Sequence, residues 1–432
     1  MWGLIDCDNF FCSCERVFRP DLRDKPVVVL SNNDGCVVAR SREVKAMGIP
    51  DIMPYFELLE KYPGSGITAF SSNYRLYGDL SARVMATLRE EVPEVLQYSI
   101  DEAFLDLRGM ESAVDLKKWG EALCRKVERW TGIPVSLGIA PTRTLAKMAS
   151  RYAKTYAGYR KCCVIATPEQ RHKALSLFPL EKVWGIGRRM GARLQAAGAR
   201  TALDYAMKPR GWIRSRFHVT GERTWMELHG IEAIDTEAME SATRKSIVTS
   251  RSFPGMLTAY DDVRTNIANH AARCAMKLRR QHTVCRMVTV FIQSNSFRPD
   301  LPQFSTGGSY TFTTATATTT EITSAATGIL RAIFRPGIHY KRGGVMVSDI
   351  SSDAAIQPDL FGYDAALAAR YRSLSEAIDE INARLGADTV IVASQQYRRK
   401  DASGKNVKFV NAIRRALKSP EYSTNPGDFL IH

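Results

Sequence analysis

The segment Val95-Leu-Gln-Tyr-Ser-Ile-Asp-Glu-Ala-Phe-Leu-Asp-Leu107 places an acidic pair, Asp101 and Glu102, between two apolar runs. Residues 95–100 and 103–107 have the length and composition of short strands. The segment therefore predicts two consecutive strands with carboxylates where the second of them begins.

The surrounding sequence supplies the other elements of a split βαββαβ unit with a ferredoxin-like sheet. Hydrophobic periodicity predicts its strands and helices, in chain order, at residues 2–6, 77–92, 95–100, 103–107, 114–130 and 134–140. A long insertion at about 12–74 follows the first strand, with strands at 26–30 and 36–39 joined by an Asn-Asp-Gly turn.

The rest of the chain divides into a helical stretch, a second βαββαβ pattern and a tail. A basic helix at 142–155, with Thr142 as its N-cap, precedes helical sequence at about 166–235. The strand and helix order repeats over 247–347, where the Thr-rich stretch 311–320 is predicted to be a strand. The fold class is thus α+β.

Composition excludes several classes of protein. The 432 residues are 45% hydrophobic and 24% charged, which is typical of globular domains and excludes disordered, collagen-like and coiled-coil chains. No apolar run approaches the roughly 18 residues of a membrane span, and the N-terminus has no signal-peptide pattern. Nine cysteines, an odd number, do not indicate a disulfide framework. We expect a cytoplasmic protein with no membrane partner.

The net charge of +15 is unevenly distributed. Residues 1–110 hold 12 Lys and Arg against 17 Asp and Glu, whereas residues 143–216 hold 17 basic and 3 acidic residues. A basic body beside an acidic segment favours a polyanion held against a site that binds cations. A solvated basic surface is the alternative.

The topology predicts where acidic residues meet. In a ferredoxin-like sheet, strand three lies between strands one and two and runs antiparallel to both, so Asp6 meets Asp101 and Glu102 at one edge. Three carboxylates there would repel one another unless a hard divalent cation lay between them. Two Mg²⁺ ions would clamp the attacking and leaving oxygens of a phosphoryl transfer. Turn carboxylates without a metal are the alternative.

The residues after the first strand extend this candidate site. We interpret Asp8 as a carboxylate that supports the others, since the chain turns into a helix there. At least one of Phe10 and Phe11 is expected to pack into the sheet, while the other would lie under a nucleotide sugar.

Several basic residues are candidates for binding phosphate oxygens. Arg40, Arg42 and Lys45 lie on or near a short helix of the insertion, and Lys154 ends the helix after the fourth strand. A cation of this kind, taken alone, is more often a solvated surface residue.

Two glycines and two arginines form a second candidate, for DNA binding. Gly185-Ile-Gly187, followed by Arg188 and Arg189, resembles the hairpin of a helix-hairpin-helix, whose glycines let a DNA phosphate approach the backbone.

Two cysteine pairs are candidates for a metal site. Cys12-x-Cys14 and Cys162-Cys163 lack the paired spacing of zinc ligands, and we interpret them as buried thiols.

Six motifs carry a resemblance to known polymerases. Three of them resemble motifs of the Y-family, translesion DNA polymerases: Asp6-x-x-x-Phe10-Phe11-x-Ser-Cys-Glu15, Tyr98-Ser-Ile-Asp-Glu-Ala-Phe-Leu-Asp106 and Gly138-Ile-Ala-x-Thr-Arg-Thr-Leu-Ala-Lys147. The other three resemble motifs of the UmuC branch, which supplies the catalytic subunit of DNA polymerase V: Lys25-Pro-Val-Val-Val-Leu-Ser-Asn-Asn-Asp-Gly-Cys36, Phe70-Ser-Ser-Asn-Tyr74 and Val183-Trp-Gly-Ile-Gly-Arg-Arg189. The resemblance spans essentially the whole chain.

The resemblance implies a right-hand polymerase and its activity. It assigns a ferredoxin-like palm, small fingers, a helical thumb with the helix-hairpin-helix, a little finger built on the second βαββαβ pattern and a C-terminal partner-binding tail, at residues 1–24 with 75–165, 25–74, 166–240, 241–350 and 351–432. The implied activity is error-prone, template-directed DNA synthesis in the SOS response to DNA damage, from primer-template DNA and dNTPs.

The same resemblance implies roles for single residues. Asp6, Asp101 and Glu102, with the Cys7 carbonyl, would bind two Mg²⁺ ions. Phe11, next to Phe10, matches the steric gate against a 2′-hydroxyl. Lys45 and Lys154 match triphosphate-binding positions, and Arg42 stands where some relatives place a Tyr.

The tail and the family imply protein partners. Gln357-Pro-Asp-Leu360-Phe361 resembles the pentapeptide that docks on the bacterial sliding clamp, with packing on its own domain as the alternative. A UmuD-like subunit and a RecA filament are further partners that the family implies.

Two other functions compete with the polymerase. A nucleotidyl cyclase also uses paired carboxylates on a ferredoxin-like sheet, but it leaves the helix-hairpin-helix and the second βαββαβ pattern unexplained. A non-catalytic DNA-binding scaffold leaves the converging carboxylates unexplained, because it gains nothing from their repulsion.

Overall fold

The computed structural model describes residues 1–235, 244–354, 356–359, 364–396, 398–400, 406–408, 415–420 and 422. The chain forms two compact units, one made of residues 1–241 with 414–432 and the other of residues 242–413. The end of the chain therefore belongs to the same unit as its beginning.

A five-stranded sheet forms the centre of the first unit. Its strands are β1 (Trp2–Cys7), β5 (Val95–Gln97), β6 (Glu102–Asp106), β7 (Val135–Ala140) and β8 (Cys162–Val164). The order is β5-β6-β1-β7-β8, so β6 lies between β1 and β5 and is antiparallel to both, as predicted. β8 adds a strand parallel to β7 that hydrophobic periodicity did not predict.

Helices cover both faces of this sheet. Helices α4 (Tyr74–Arg89) and α5 (Leu116–Thr131) pack on the face that carries Ile5, and α6 (Arg143–Thr155) packs on the face that carries Leu4. The axis of α6 passes so close to β7 that a Cβ on Gly138 would lie 1.9 Å from the Ser150 nitrogen. Only glycine fits there.

The insertion forms its own three-stranded sheet of β2 (Val27–Leu30), β3 (Val37–Arg40) and β4 (Thr68–Ser71), in the order β3-β2-β4. The remaining helices of the first unit are α1 (Phe10–Val17), α2 (Arg42–Ala46), α3 (Tyr55–Lys61), α7 (Pro168–Leu177), α8 (Arg188–Ala196), α9 (Ala202–Ala206) and α10 (Arg210–Leu228). Leu180, Leu194, Tyr205 and Leu228 continue the core beneath α6.

Two predicted boundaries were wrong for local reasons. Helix α4 begins three residues earlier than its periodicity suggested, because the Asn73 side chain accepts the Leu76 N–H at 3.5 Å and caps the helix. The strand predicted at 95–100 ends at Gln97, because the Ser99 hydroxyl accepts the N–H groups of Asp101 and Glu102 and turns the chain.

The second unit contains an antiparallel sheet of β9 (Ser246–Leu257), β10 (Thr283–Ser294), β11 (Ser305–Thr316) and β12 (Tyr340–Ser352). Its helices are α11 (Tyr260–Arg280), α12 (Thr319–Ile333) and α13 (Ala365–Leu385), and a short hairpin pairs β13 (Arg398–Lys400) with β14 (Asn406–Lys408). The βαββαβ element order is as predicted, but the sheet order β11-β10-β12-β9 differs from that of the first sheet.

The Thr-rich stretch was predicted as a strand over residues 311–320, and this is only partly right. The strand β11 ends at Thr316, and α12 begins at Thr319. The Thr316 hydroxyl donates to the Glu321 carboxylate and accepts the Thr318 N–H, which supports the turn between them.

Candidate active site

The antiparallel register of β1 and β6 brings the predicted carboxylates to one edge of the sheet. Asp6 lies directly opposite Glu102, and the Cys7 N–H donates to the Asp101 carbonyl oxygen at 2.8 Å. We call Asp6, Asp101 and Glu102 the acidic edge. The three carboxyl groups thus lie at the edge of the sheet that the topology predicted.

Lysines from α6 neutralise part of this charge. Lys154 Nζ lies 2.6 Å from Asp6 Oδ1, and Lys147 Nζ lies 2.9 and 2.8 Å from the two oxygens of Glu102. Burial raises the pKa of Asp6, Lys154 opposes the rise, and the charges of Glu102 and Asp8 add to it. Burial thus disfavours the charged form of Asp6 in spite of the nearby lysine, and the neighbouring carboxylates add to this effect.

The acidic edge fits a hard divalent cation in its chemistry. Among the described residues no three His, Cys, Asp or Glu side chains converge as a formed metal site, because Asp6 and Glu102 face lysines and Asp101 accepts the Ser99 hydroxyl. The carboxylate oxygen donors nevertheless match the ligands that such a cation prefers.

Asp8 is buried beside the acidic edge and has its own partners. The Ser136 hydroxyl donates to its two oxygens at 3.0 and 3.1 Å, and Lys161 Nζ lies 2.6 Å from Oδ2. Lys154 Nζ is 3.5 Å from Oδ1. Neither Ser136 nor Lys161 stands out in the sequence, because each is more than 120 residues from Asp8.

The two phenylalanines differ in burial. Phe10 is buried in the core under β1, whereas Phe11 is half-buried. The Phe11 ring stacks on Tyr77 with a centroid distance of 4.5 Å and an interplanar angle of 17°, and the edge of Tyr74 lies at 5.9 Å. The Tyr77 hydroxyl donates to Glu15 Oε1 at 2.7 Å. Tyr77 and Glu15 were not identified as site residues from the sequence.

The predicted phosphate-binding cations separate into two groups. Lys45 donates to the side-chain oxygen of Asn9, and burial, with the charges of Lys154 and Arg40, lowers its pKa. Arg40 instead pairs with Asp51 and donates to the Ile49 carbonyl oxygen, and its role in phosphate binding stays a prediction. A cleft of about 1280 Å³ has lining residues that include Asp6, Arg42, Lys45, Glu102, Lys147 and Lys154.

The candidate DNA-binding hairpin precedes α8. Gly185 has a φ of +89°, and a Cβ there would lie 2.6 Å from the Thr224 hydroxyl. Ile186 is buried and anchors the turn, while Gly187, Arg188 and Arg189 are exposed. The exposed turn leaves backbone and guanidinium groups open to a ligand.

The remaining candidates have simple outcomes. All nine cysteines are free, and Cys12, Cys14, Cys162 and Cys163 are buried, which confirms the interpretation as buried thiols. Burial raises the pKa of Cys12 to about 12. In the candidate clamp peptide Gln357 is exposed, whereas Leu360 and Phe361 lie outside the described residues.

Comparison with known proteins identifies the family. Models of the impB/mucB/samB family and of its C-terminal domain match residues 5–151 and 244–360, and one for a domain of unknown function matches residues 372–431. The chain is 40% identical over 431 residues to Protein UmuC of Salmonella typhimurium, covering 100% of this chain and 99% of that protein. The chain belongs to the UmuC branch of the Y-family DNA polymerases.

Other relatives agree with this membership of the UmuC branch. Protein SamB of Salmonella typhimurium is 38% identical over 431 residues, covering 99% of this chain and 98% of that protein. A solved Y-family DNA polymerase chimera has the same fold, with a TM-score of 0.62, 20% identity, and coverage of 81% of this chain and 99% of that one.

Membership of the UmuC branch confirms the expected activity. The chain is an error-prone, translesion DNA-directed DNA polymerase of SOS mutagenesis and DNA repair, and the cyclase and the scaffold are not favoured. Nucleotidyl transfer in the Y-family uses divalent metal, and its substrates are DNA and dNTPs. None of the helices in the described ranges is long and apolar enough to cross a membrane.

Proposed function

We propose that the acidic edge is the catalytic centre of this polymerase, with Asp6, Asp101, Glu102 and the Cys7 carbonyl as ligands of two Mg²⁺ ions. The observation that carries the proposal is the register that sets Asp6 opposite Glu102, with Asp101 one residue away. When bound, the ions supply a clamp on the attacking and leaving oxygens. The carboxylates would hold those ions at this edge, where the primer 3′-hydroxyl and the α-phosphate of the incoming dNTP would react.

Lys45, Lys154 and Arg42 are proposed to bind the triphosphate. All three line the cleft that Asp6 and Glu102 also line. Lys154 lies close enough to Lys45 for its charge to act on the Lys45 ammonium group. Burial and the nearby charge of Lys154 lower the pKa of Lys45, and a polyanion bound between the two lysines would offset their repulsion. Lys154 would then exchange its contact with Asp6 for one with phosphate.

Phe11 is proposed to be the steric gate that excludes a 2′-hydroxyl, and Phe10 to support it from the core. The half-buried ring of Phe11 is backed by Tyr77, so it has little room to retreat from a bulkier sugar. A rigid ring discriminates by contact, because the interior is close-packed.

The domain roles follow from the family. Residues 1–24 with 75–165 would be the palm, 25–74 the fingers, 166–240 the thumb and 241–350 the little finger. Gly185, Gly187, Arg188 and Arg189 would hold the DNA backbone through the helix-hairpin-helix of the thumb, so affinity for DNA should fall steeply with salt.

Residues 351–432 would be a partner-binding tail that carries the candidate clamp peptide, and the family implies two further partners. Gln357, Leu360 and Phe361 would dock on a sliding clamp, and a UmuD-like subunit and a RecA filament would join the active complex in the bacterial cytoplasm. The exposure of Gln357 supports the clamp peptide.

Primer extension on undamaged and damaged templates tests the proposal with a matched pair of variants. Asp101→Asn keeps the shape and removes one charge of the acidic edge, so extension should fall by several orders of magnitude while DNA binding persists. Asp106→Asn removes a charge near the far end of β6, where Asp106 pairs with Arg108, and should extend normally. Near wild-type extension by Asp101→Asn would refute the assignment.

A further inference from the structure

In the C-terminal segment 415–422, of which residues 415–420 and 422 are described, residues 416–418 lie along the edge of the insertion sheet. The Ser71 N–H donates to the Leu417 carbonyl at 3.0 Å, and the Leu417 N–H donates to the Ser71 hydroxyl at 2.9 Å. The Ala416 N–H donates to Asp34 Oδ2 at 2.9 Å. The segment thus extends the edge of β4 in parallel, with Lys418 beside Ser71.

One residue of this segment reaches the support of Phe11. Ser419 is 5% exposed, and its hydroxyl accepts from Asn73 Nδ2 at 3.0 Å and donates to Glu15 Oε1 at 3.3 Å. Glu15 is fully buried, and the same oxygen accepts the Tyr77 hydroxyl. Because the Tyr77 ring stacks on Phe11, a continuous contact path runs from the C-terminal segment to the proposed sugar gate.

The end of the segment is anchored on α1, the helix that carries both Phe11 and Glu15. The Tyr422 ring stacks on Phe18, with a centroid distance of 4.5 Å and an interplanar angle of 4°. The segment therefore contacts β4, the residue that caps the start of α4 and the residue that follows α1, and Tyr77 lies in the first turn of α4.

We propose that the segment 415–422 is a positioning element of the nucleotide site, in which Ser419 acts through Glu15 and Tyr77 to hold the ring of Phe11. The inference rests on the proposed gate role of Phe11. Glu15 Oε2 has no hydrogen-bond partner among the described residues, so the carboxylate is oriented through Oε1 alone. Removing the Ser419 hydroxyl leaves that oxygen with Tyr77 only and frees the pair to shift.

The test uses full-length variants and the ratio of kcat/KM for a ribonucleotide to that for the matching deoxynucleotide. Ser419→Ala and Tyr77→Phe each remove one link and should raise this ratio about 3- to 10-fold, the range that one hydrogen bond is worth. Phe11→Ala should raise it further. Adding Ser419→Ala to Phe11→Ala should leave the ratio at the value of Phe11→Ala, because the ring that the contact path positions is then missing.

A second pair of variants covers the case in which Ser419→Ala does not fold. Leu417→Pro removes the N–H that donates to Ser71, whereas Leu417→Ala changes only a side chain that is 37% exposed. Of these two variants, only Leu417→Pro should raise the ratio of ribonucleotide to deoxynucleotide kcat/KM. The Ser71 N–H donates to the Leu417 carbonyl oxygen, so its hydrogen exchange reports on this contact. Exchange should accelerate in Leu417→Pro, whereas the Ser71 amide should stay protected in Leu417→Ala.

The outcomes separate the two claims. A wild-type ratio in both Ser419→Ala and Leu417→Pro, together with a raised ratio in Phe11→Ala, would overturn the positioning role and leave the gate intact. An unchanged ratio in Phe11→Ala would refute the gate and, with it, this inference.

Discussion

Glu227, on α10, joins α6 to the helical stretch that follows it, and its substitution should be strongly destabilising. Its carboxylate is fully buried and accepts three backbone N–H groups, from Thr144 at 2.9 Å, Ala233 at 2.8 Å and Ile234 at 3.1 Å. Glu227→Gln keeps the volume but replaces one acceptor oxygen with an NH₂ group, which cannot accept.

The expected loss follows from these contacts. Either the Thr144 N–H or the pair at Ala233 and Ile234 loses its acceptor. A hydrogen bond to a charged group contributes about 1.5–3 kcal/mol, and a buried amide left unpaired costs about 1–3 kcal/mol. The free energy of unfolding should therefore fall by about 3–5 kcal/mol. At about 2–4 °C per kcal/mol for a unit of this size, Tm should fall by roughly 6–20 °C.

Differential scanning calorimetry measures this loss against a control on the same helix. Glu222→Gln changes a carboxylate that pairs at the surface with Arg210 and Arg214, and its Tm should stay close to wild type. A Tm for Glu227→Gln within about 2 °C of that for Glu222→Gln would correspond to a loss of at most about 1 kcal/mol. That result would show that the three amide contacts do not hold the junction.

Three further changes have distinct readouts. Phe11→Ala should raise ribonucleotide incorporation with little loss of Tm, whereas a core role would lower stability by about 3–5 kcal/mol and leave sugar selectivity unchanged. Gly138→Ala forces a Cβ into the backbone of α6 and should yield no soluble folded protein. Burial, aided by Arg273 and Arg251, lowers the pKa of His270 to about 3, so the unfolded state binds the extra proton and stability should fall by about 2 kcal/mol from pH 7 to pH 5. His270→Leu should remove that dependence in urea titrations, and an unchanged slope would contradict it.

The acidic edge could be predicted because two patterns suffice for it. Apolar runs located β1 and β6, and the handedness of βαβ crossovers fixed their neighbours, so the junction of Asp6 with Glu102 followed without any coordinates. The strand β8 was missed because three residues, two of them cysteines, carry no periodic signal.

Contacts between distant side chains could not be predicted where no topology rule places the two residues together. Lys147 pairs with Glu102 across 45 positions, and Ser419 reaches Glu15 across 404, and no local pattern encodes either contact. The second sheet shows the same limit, because element order alone does not reveal that β12 lies between β10 and β9. Neighbours are set by which faces can be buried together, a property of the whole unit.

The number of divalent cations held at the acidic edge is the most direct test of the proposed catalytic centre. Mn²⁺ binding, followed by electron paramagnetic resonance, would be measured for full-length protein with a non-extendable primer-template and the matching dNTP. Wild type and Asp106→Asn should each bind about two ions per ternary complex, and Asp101→Asn should bind about one fewer. Equal binding by all three proteins would contradict the assignment of Asp101 as a metal ligand.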